Sequence, residues 1–176
     1  MTDEGRRTKA DLARYIAEHG IAAELVTPPH ETPSVAQAAA AMGCAPEQII
    51  KSLVFLISGQ PYLVIANGDA PISYRRLAAH FGISRKRIRM ATPEEVLALT
   101  GYPAGGVPPF GWRTSLPVLM DPGVLTQDIV YGGGGDERTL VRIAPAELRR
   151  VTRPVLVTVT DEVVAATKPL RETSTC

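Results

Sequence analysis

Apolar positions along the chain switch between two spacings. From Thr8 to His19, the residues Leu12, Tyr15, Ile16 and His19 recur every three or four positions, the period of a helix with one buried face. Thr8 and Asp11 have the spacing of a capping box, and Gly20 stops the helix. Thr32-Pro33-Ser34 predicts a second helix running through Met42 to Gly43, with Thr32 as N-cap and proline in the first turn. Ser73 to His80, Thr92 to Thr100 (a Thr-Pro-Glu-Glu start) and Pro145 to Arg150 predict three more helices.

The remaining apolar runs are strand-sized. Residues 51–57 and 61–66 are rich in Val, Ile, Leu and Phe, and Ser58-Gly59-Gln60 between them predicts a hairpin. Both runs are almost continuously apolar, which predicts a place inside a sheet covered on both faces. Ala23–Thr27, Arg87–Met90, Leu116–Met120, Ile129–Tyr131 and Thr139–Ile143 are shorter strand candidates, the last two flanking the Gly132–Gly135 run. Val155–Val159 is β-prone with no partner the pattern assigns. Helices and strands interleave irregularly and include hairpins. The expected fold is therefore α+β (mixed α/β), with a central mixed, largely antiparallel sheet flanked by helices. Residues 8–152 are expected to form one domain, with a tail at 1–7 and a partly disordered C-terminal extension at 153–176.

Composition narrows the function. Apolar residues make up 45% of the 176-residue chain, but aromatics only 5%, so aliphatic side chains fill the core. Two cysteines, one of them terminal, form no disulfide framework, and three scattered histidines give no metal spacing. No metal or cofactor is expected. The charged N-terminus has no apolar core, and no apolar stretch approaches the roughly 20 residues that cross a bilayer. These features lead to an expectation of a cytoplasmic protein with no membrane partner. No GxGxxG opens a βαβ unit, and no Lys-Ser/Thr follows the glycine run as in a P-loop.

Four features could carry chemistry. Lys51 begins an apolar strand, where its stem can lie on apolar surface while its ammonium meets a phosphate; a lysine at a sheet edge looks the same. Gly101–Gly111 holds four glycines and three prolines, so it is either a rigid connector or a loop whose N–H groups can meet a carbonyl. Between Ala70 and Pro93 there is no acid, yet Arg75, Arg76, Arg85, Lys86, Arg87 and Arg89 occur there, a polyanion surface or a solvated one. His30 follows two prolines and is either a ligand contact or a polar loop residue. Ser52 adjoins Lys51, so on a strand the two point to opposite faces, which argues against a Ser-Lys dyad.

Together, His30 with Ser34–Ala39, Ile49–Phe55, Gly105–Gly111 and Val118–Asp121 resemble the YbaK/EbsC family, over roughly residues 8 to 152. That family includes free-standing aminoacyl-tRNA deacylases and the editing insertion of bacterial prolyl-tRNA synthetases. The resemblance implies a YbaK-like domain that hydrolyses the ester of a mischarged small amino acid on tRNA. It casts Lys51 as the anchor for the phosphate of the terminal adenosine, and Gly105 with Gly106 as a backbone cradle for the aminoacyl carbonyl. His30, Ser52, Val107, Pro108, Pro109, Phe110, Gly111 and Asp121 become substrate-binding candidates. Arg75, Arg76, Arg85, Lys86 and Arg87 are the tRNA-binding candidates, and an aminoacyl-tRNA synthetase is a possible partner. Ala38, Val54, Leu56 and Ile65 are pocket candidates. The Val-Pro-Pro-Phe-Gly continuation departs from the YbaK subgroup and argues against cysteinyl-tRNA specificity. The alternative is a non-catalytic tRNA- or nucleotide-binding module on the same fold.

Overall fold

A computed structural model describes residues 5–161. The chain runs α1 (Lys9–Glu18), β1 (Ala23–Val26), α2 (Val35–Met42), β2 (Ile50–Ile57), β3 (Gln60–Asn67), α3 (Tyr74–Phe81), β4 (Ile88–Met90), α4 (Pro93–Thr100), β5 (Val118–Met120), β6 (Val130–Gly133), β7 (Leu140–Ile143), α5 (Pro145–Thr152) and β8 (Val155–Leu156). This is the expected mixed α+β architecture.

Local signals set the helix starts. Thr8 and Asp11 form the capping box of α1, and Thr92 with Glu95 forms that of α4. Ser73 caps α3 by accepting from the Arg76 amide at 3.3 Å. One start differs from expectation. α2 is capped by Ser34, not Thr32, because Gln37 lies three residues after Ser34 and completes its capping box. Between β2 and β3 the turn is Ser58-Gly59 alone, both at positive φ as a type I′ turn requires, so Gln60 already belongs to the strand.

The strands make two sheets. One has order β4-β2-β3-β5-β8 and the other β1-β7-β6. Four of the six strand pairs are antiparallel, and β3–β5 and β5–β8 are parallel. A bridge between Ile49 and Tyr131 joins the sheets. β2 and β3 lie inside the larger sheet, and their alternation serves both faces. Ile50, Val54, Leu63 and Ile65 enter the main core with Phe110 and Leu148. Phe55, Ile57, Val64 and Ala66 enter a second core with Leu77 of α3.

Three boundaries need redrawing. Gly132 and Gly133 are strand residues of β6, leaving a shorter turn. The chain from Arg153 to Asp161 belongs to the fold. β8 pairs with β5, the Ser73 amide donates to the Val159 carbonyl at 2.7 Å, and Val159 is wholly buried. Arg7, assigned to the tail, also docks, its amide donating to the Gly101 carbonyl at 2.7 Å. Residues 1–4 and 162–176 of the expected tails lie outside the described residues.

Candidate functional site

β2 changes partners along one edge, and the change opens a cleft. That edge bridges Tyr131 of β6 at Ile49 and pairs with β4 from Phe55 onward, with the Ala91 amide reaching the Val54 carbonyl. Among the described residues, no strand pairs with it from Ile50 to Leu53. These residues form one wall of a cavity of about 210 Å³. The other walls are the start of α2 with Ala38, Gly105 and Val107 of the glycine–proline loop, and the β6–β7 turn with Gly133, Asp136 and Thr139. A second depression of about 380 Å³ shares Thr32, Pro33, Gly105 and Glu137 and adds Glu31 and Arg138, forming an outer mouth.

Lys51 lines this cleft. Its side chain is partly buried, and its ammonium donates to the Ala70 carbonyl in the loop after β3. Burial holds its pKa below the ordinary lysine value, against the opposing pull of the Asp69 carboxylate. The site therefore holds a partly desolvated point cation, which attracts an anion more strongly than a solvated one does.

Opposite stands the first half of the glycine–proline loop. Gly105 has φ +91, a conformation that favours glycine, and nothing lies within 4 Å of where a Cβ would stand. Gly106 is fixed by backbone contacts. Its amide donates to Pro103 at 2.9 Å and its carbonyl accepts from Gly135 at 3.0 Å. The amides of Gly105 and Val107 donate to no acceptor among the described residues. β6 presses on this loop so closely that a Cβ on Gly133 would lie 2.3 Å from the Val107 carbonyl oxygen.

The other candidates divide. Ser52 and Val107 line the cleft, and so does Ala38. Pro109 packs behind it, 3.5 Å from where a Cβ on Gly132 would stand. Pro108, Phe110 and Gly111 are turned into the body of the protein. The Pro108 carbonyl accepts from the Trp112 indole at 2.8 Å, Phe110 stacks on Tyr15, and Gly111 packs on Tyr15. His30 is exposed and does not line the cleft, although Glu31 after it reaches the outer mouth. Asp121 is buried and spends both oxygens on the fold, one on the Gly123 amide and the other on Val159 and Thr160. Val54 and Ile65 are core residues, and Leu56 lies beside Arg87 at the far end of β2.

The basic candidates also divide. Arg75 and Arg76 pair with Asp161 at 3.0 and 3.1 Å. Arg85, Lys86 and Arg87 form an exposed 3₁₀ turn beside the β2–β3 hairpin. Six residue steps along the strand lead from Lys51 to Ile57 at that end, about 20 Å at 3.3 Å per residue.

Sequence reasoning missed Asp136, Glu137 and Thr139, which complete the cleft from a turn that looked like a hairpin tip. The available signal was the glycine run itself, since glycine inside a strand marks close approach of another backbone. Burial pushes the Asp136 carboxyl up, but the Arg138 amide at 2.9 Å, then the hydroxyl and amide of Thr139, and last the charge of Lys9 bring it below the ordinary carboxylate value. No cluster of three or more His, Cys, Asp or Glu side chains suited to a metal occurs among the described residues.

Fold and cleft define an α+β domain with a cleft at the seam between two sheets. Comparison with known proteins makes the class specific. The family profile described as the aminoacyl-tRNA editing domain matches residues 29–151, and the chain belongs to that family. It is 35% identical over 116 residues to the uncharacterized protein YwhH of Bacillus subtilis, covering 65% of this chain and 72% of that one. It is 29% identical over 161 residues to the multifunctional Ser/Thr-tRNA deacylase ProXp-y of Escherichia coli, covering 88% and 93%. A solved structure described as a candidate trans-editing enzyme for prolyl tRNA synthetase superposes with a TM-score of 0.80 at 32% identity, covering 87% of this chain and 96% of that one.

Proposed function

We propose that this protein is a trans-editing deacylase that hydrolyses the ester joining a mischarged small amino acid to tRNA. The observation carrying this reading is that Lys51, Gly105 and Val107, 54 positions apart in sequence at their nearest (105 − 51), line one cleft. The ammonium suits the phosphate of the terminal adenosine. The unengaged amides suit the aminoacyl carbonyl as negative charge develops on its oxygen. Water adds to the carbonyl carbon, the ester C–O bond breaks, the amino acid leaves as a carboxylate, and of the two protons of the water one passes to the ribose oxygen and the other to solvent. No protein nucleophile is required. A cavity of about 210 Å³ walled by Ala38 and Val107 favours small side chains. Hydrophobic discrimination among such side chains is weak, which is why a separate hydrolytic site is useful. The partner on this reading is aminoacyl-tRNA, in the cytoplasm and beside a synthetase. The relatives' names point to prolyl-tRNA synthetase.

The test is a deacylation panel with alanyl-, seryl-, cysteinyl-, threonyl- and prolyl-tRNA. Wild type should hydrolyse at least one. Lys51→Ala should slow that reaction about 10- to 100-fold, the worth of a charge-assisted hydrogen bond, with an unchanged circular dichroism spectrum. Tight tRNA binding without hydrolysis of any substrate would leave only a binding module.

A further inference from the structure

A depression of about 540 Å³ lies outside the cleft, between the segment before α1, one face of α1 and Arg113. Arg6, Arg7, Arg14 and Arg113 line it, against two acids, Asp11 and Glu18. Asp11 is already engaged, accepting from the Thr8 amide at 2.7 Å and lying 3.5 Å from Arg14. Arg7 is fixed in place, its guanidinium donating to the Gly111 carbonyl at 3.4 Å. Arg6, Arg14 and Arg113 are exposed. Guanidiniums gathered around one depression repel one another, and an anion seated among them removes that repulsion. Tyr15 also lines the groove, but its ring already stacks on His19 at 3.9 Å and on Phe110 at 6.1 Å between centroids. The groove therefore offers guanidinium chemistry rather than a stacking platform for bases.

The groove begins one backbone layer from the cleft. Lys9, two residues after Arg7, has its amide nitrogen 3.1 Å from where a Cβ on Gly135 would stand. Gly135 donates to the Gly106 carbonyl at 3.0 Å and precedes Asp136 of the cleft wall. The outer mouth of the cleft, by contrast, carries Glu31 and Glu137 against Arg138 alone, so it gives a polyanion little attraction.

We infer that the arginine groove is an interaction surface for the phosphate backbone of the tRNA acceptor stem. This rests on the deacylase reading above. The ester sits at the single-stranded 3′ end, so the duplex behind it lies outside the cleft and meets the surface around it. Arginine bonds phosphate oxygens through a planar fork of donors, and such contacts position a duplex without reading its sequence. The groove thus supplies affinity and orientation, while Lys51 and the glycine loop meet the terminal nucleotide and its ester.

The test takes an ester of the panel that wild type cleaves and presents it on full-length tRNA and on a CCA trinucleotide, which has no stem. Wild type should show a kcat/KM about tenfold or more higher on the full-length substrate. Arg6→Gln/Arg14→Gln/Arg113→Gln should lose about tenfold of that advantage, through three lost phosphate contacts. Arg7 is left in place because it also holds the fold. An advantage that survives in the triple variant overturns the inference, and so does its absence in wild type. An equal fall on both substrates also overturns it, since that is damage to the cleft. If wild type cleaves no ester, the deacylase reading fails, and binding of uncharged tRNA then decides this inference. A dependence of log K on log salt flattened by about two to three units in the triple variant supports it. An unchanged slope, or no binding by wild type, overturns it.

Discussion

Gly133→Ala isolates the backbone cradle without touching a polar side chain. The new Cβ would stand 2.3 Å from the Val107 carbonyl oxygen, 2.9 Å from its carbon and 3.2 Å from the Gly106 carbonyl carbon. All three are backbone atoms, so no side chain can swing away. A comfortable C···O contact is about 3.3–3.6 Å, so β6 and the Gly105–Val107 loop must part by about 1 Å. Overpacking of this kind costs about 1–3 kcal/mol. In a domain of this size that is a fall of about 2–12 °C in Tm. A 1 Å misplacement of a catalytic group can cost about a hundredfold in rate. Gly82→Ala is the control. Gly82 caps α3 at φ +64 with nothing within 4 Å of a Cβ, so alanine there costs about 1–2 kcal/mol of backbone strain alone.

Thermal melts and single-turnover deacylation at 25 °C separate the two variants. Both should melt earlier, while only Gly133→Ala should lose about two orders of magnitude in deacylation. Wild-type deacylation by a destabilised Gly133→Ala would refute the role given to the Gly105–Val107 backbone. An unchanged melting temperature would refute the packing itself.

Two further predictions concern charge. Glu95 is held at a pKa of about 2, chiefly by Arg89 and then by the Thr92 amide; Glu147 is held at about 2, chiefly by Arg150 and then by the Ala22 amide. Both lie below the ordinary 4.5, so their stabilisation is complete above that value and is lost as pH falls toward 2. Urea midpoints measured from pH 7 to 2.5 should fall less steeply in a Glu95→Gln/Glu147→Gln double variant, and parallel curves would contradict the assignment. Neutralising Arg85, Lys86 and Arg87 should weaken tRNA binding and flatten its dependence on log salt by about two to three units, as each lost phosphate contact removes close to one. Neutralising Arg75 and Arg76, already paired with Asp161, should do less. Unchanged binding in the triple variant would move the tRNA surface off this turn.

What the sequence made visible was local. Capping boxes at Thr8 and Thr92, the proline at the start of α4 and a hairpin at Ser58-Gly59-Gln60 each depend on residues a few positions apart, and the structure realises them, with the hairpin turn one residue shorter. Sheet order was invisible because β5 and β8 are three and two residues long, too short for a period, and both pair in parallel with distant strands. The same limit shaped the site. Lys51 and Gly105 stood out by residue type, one as a charge in an apolar run and the other in a dense glycine–proline loop. Thr139 and Asp136 did not, because an ordinary threonine and aspartate in a turn gain meaning only from the wall they complete. Asp121 shows the converse. Its carboxylate looks like site chemistry in the sequence, yet it ties β5 to the residues following β8.

The cleft follows from how β2 is paired rather than from any one side chain. A strand that leaves β6 after Ile49 and meets β4 only near Val54 must expose a stretch of edge between them. Twist between neighbouring strands opens that stretch into a cavity. Within it, alternation sends Lys51 to one face and Ser52 to the other, so neighbouring residues of one strand serve different parts of the wall. The loop that closes the cavity is held by backbone contacts at Gly106 and Gly133, and its own contribution is N–H groups. On the deacylase reading, side-chain truncations in the cleft other than at Lys51 should therefore change which ester is chosen more than whether it is cleaved. Substitutions that move the glycine backbone should stop cleavage for every ester alike.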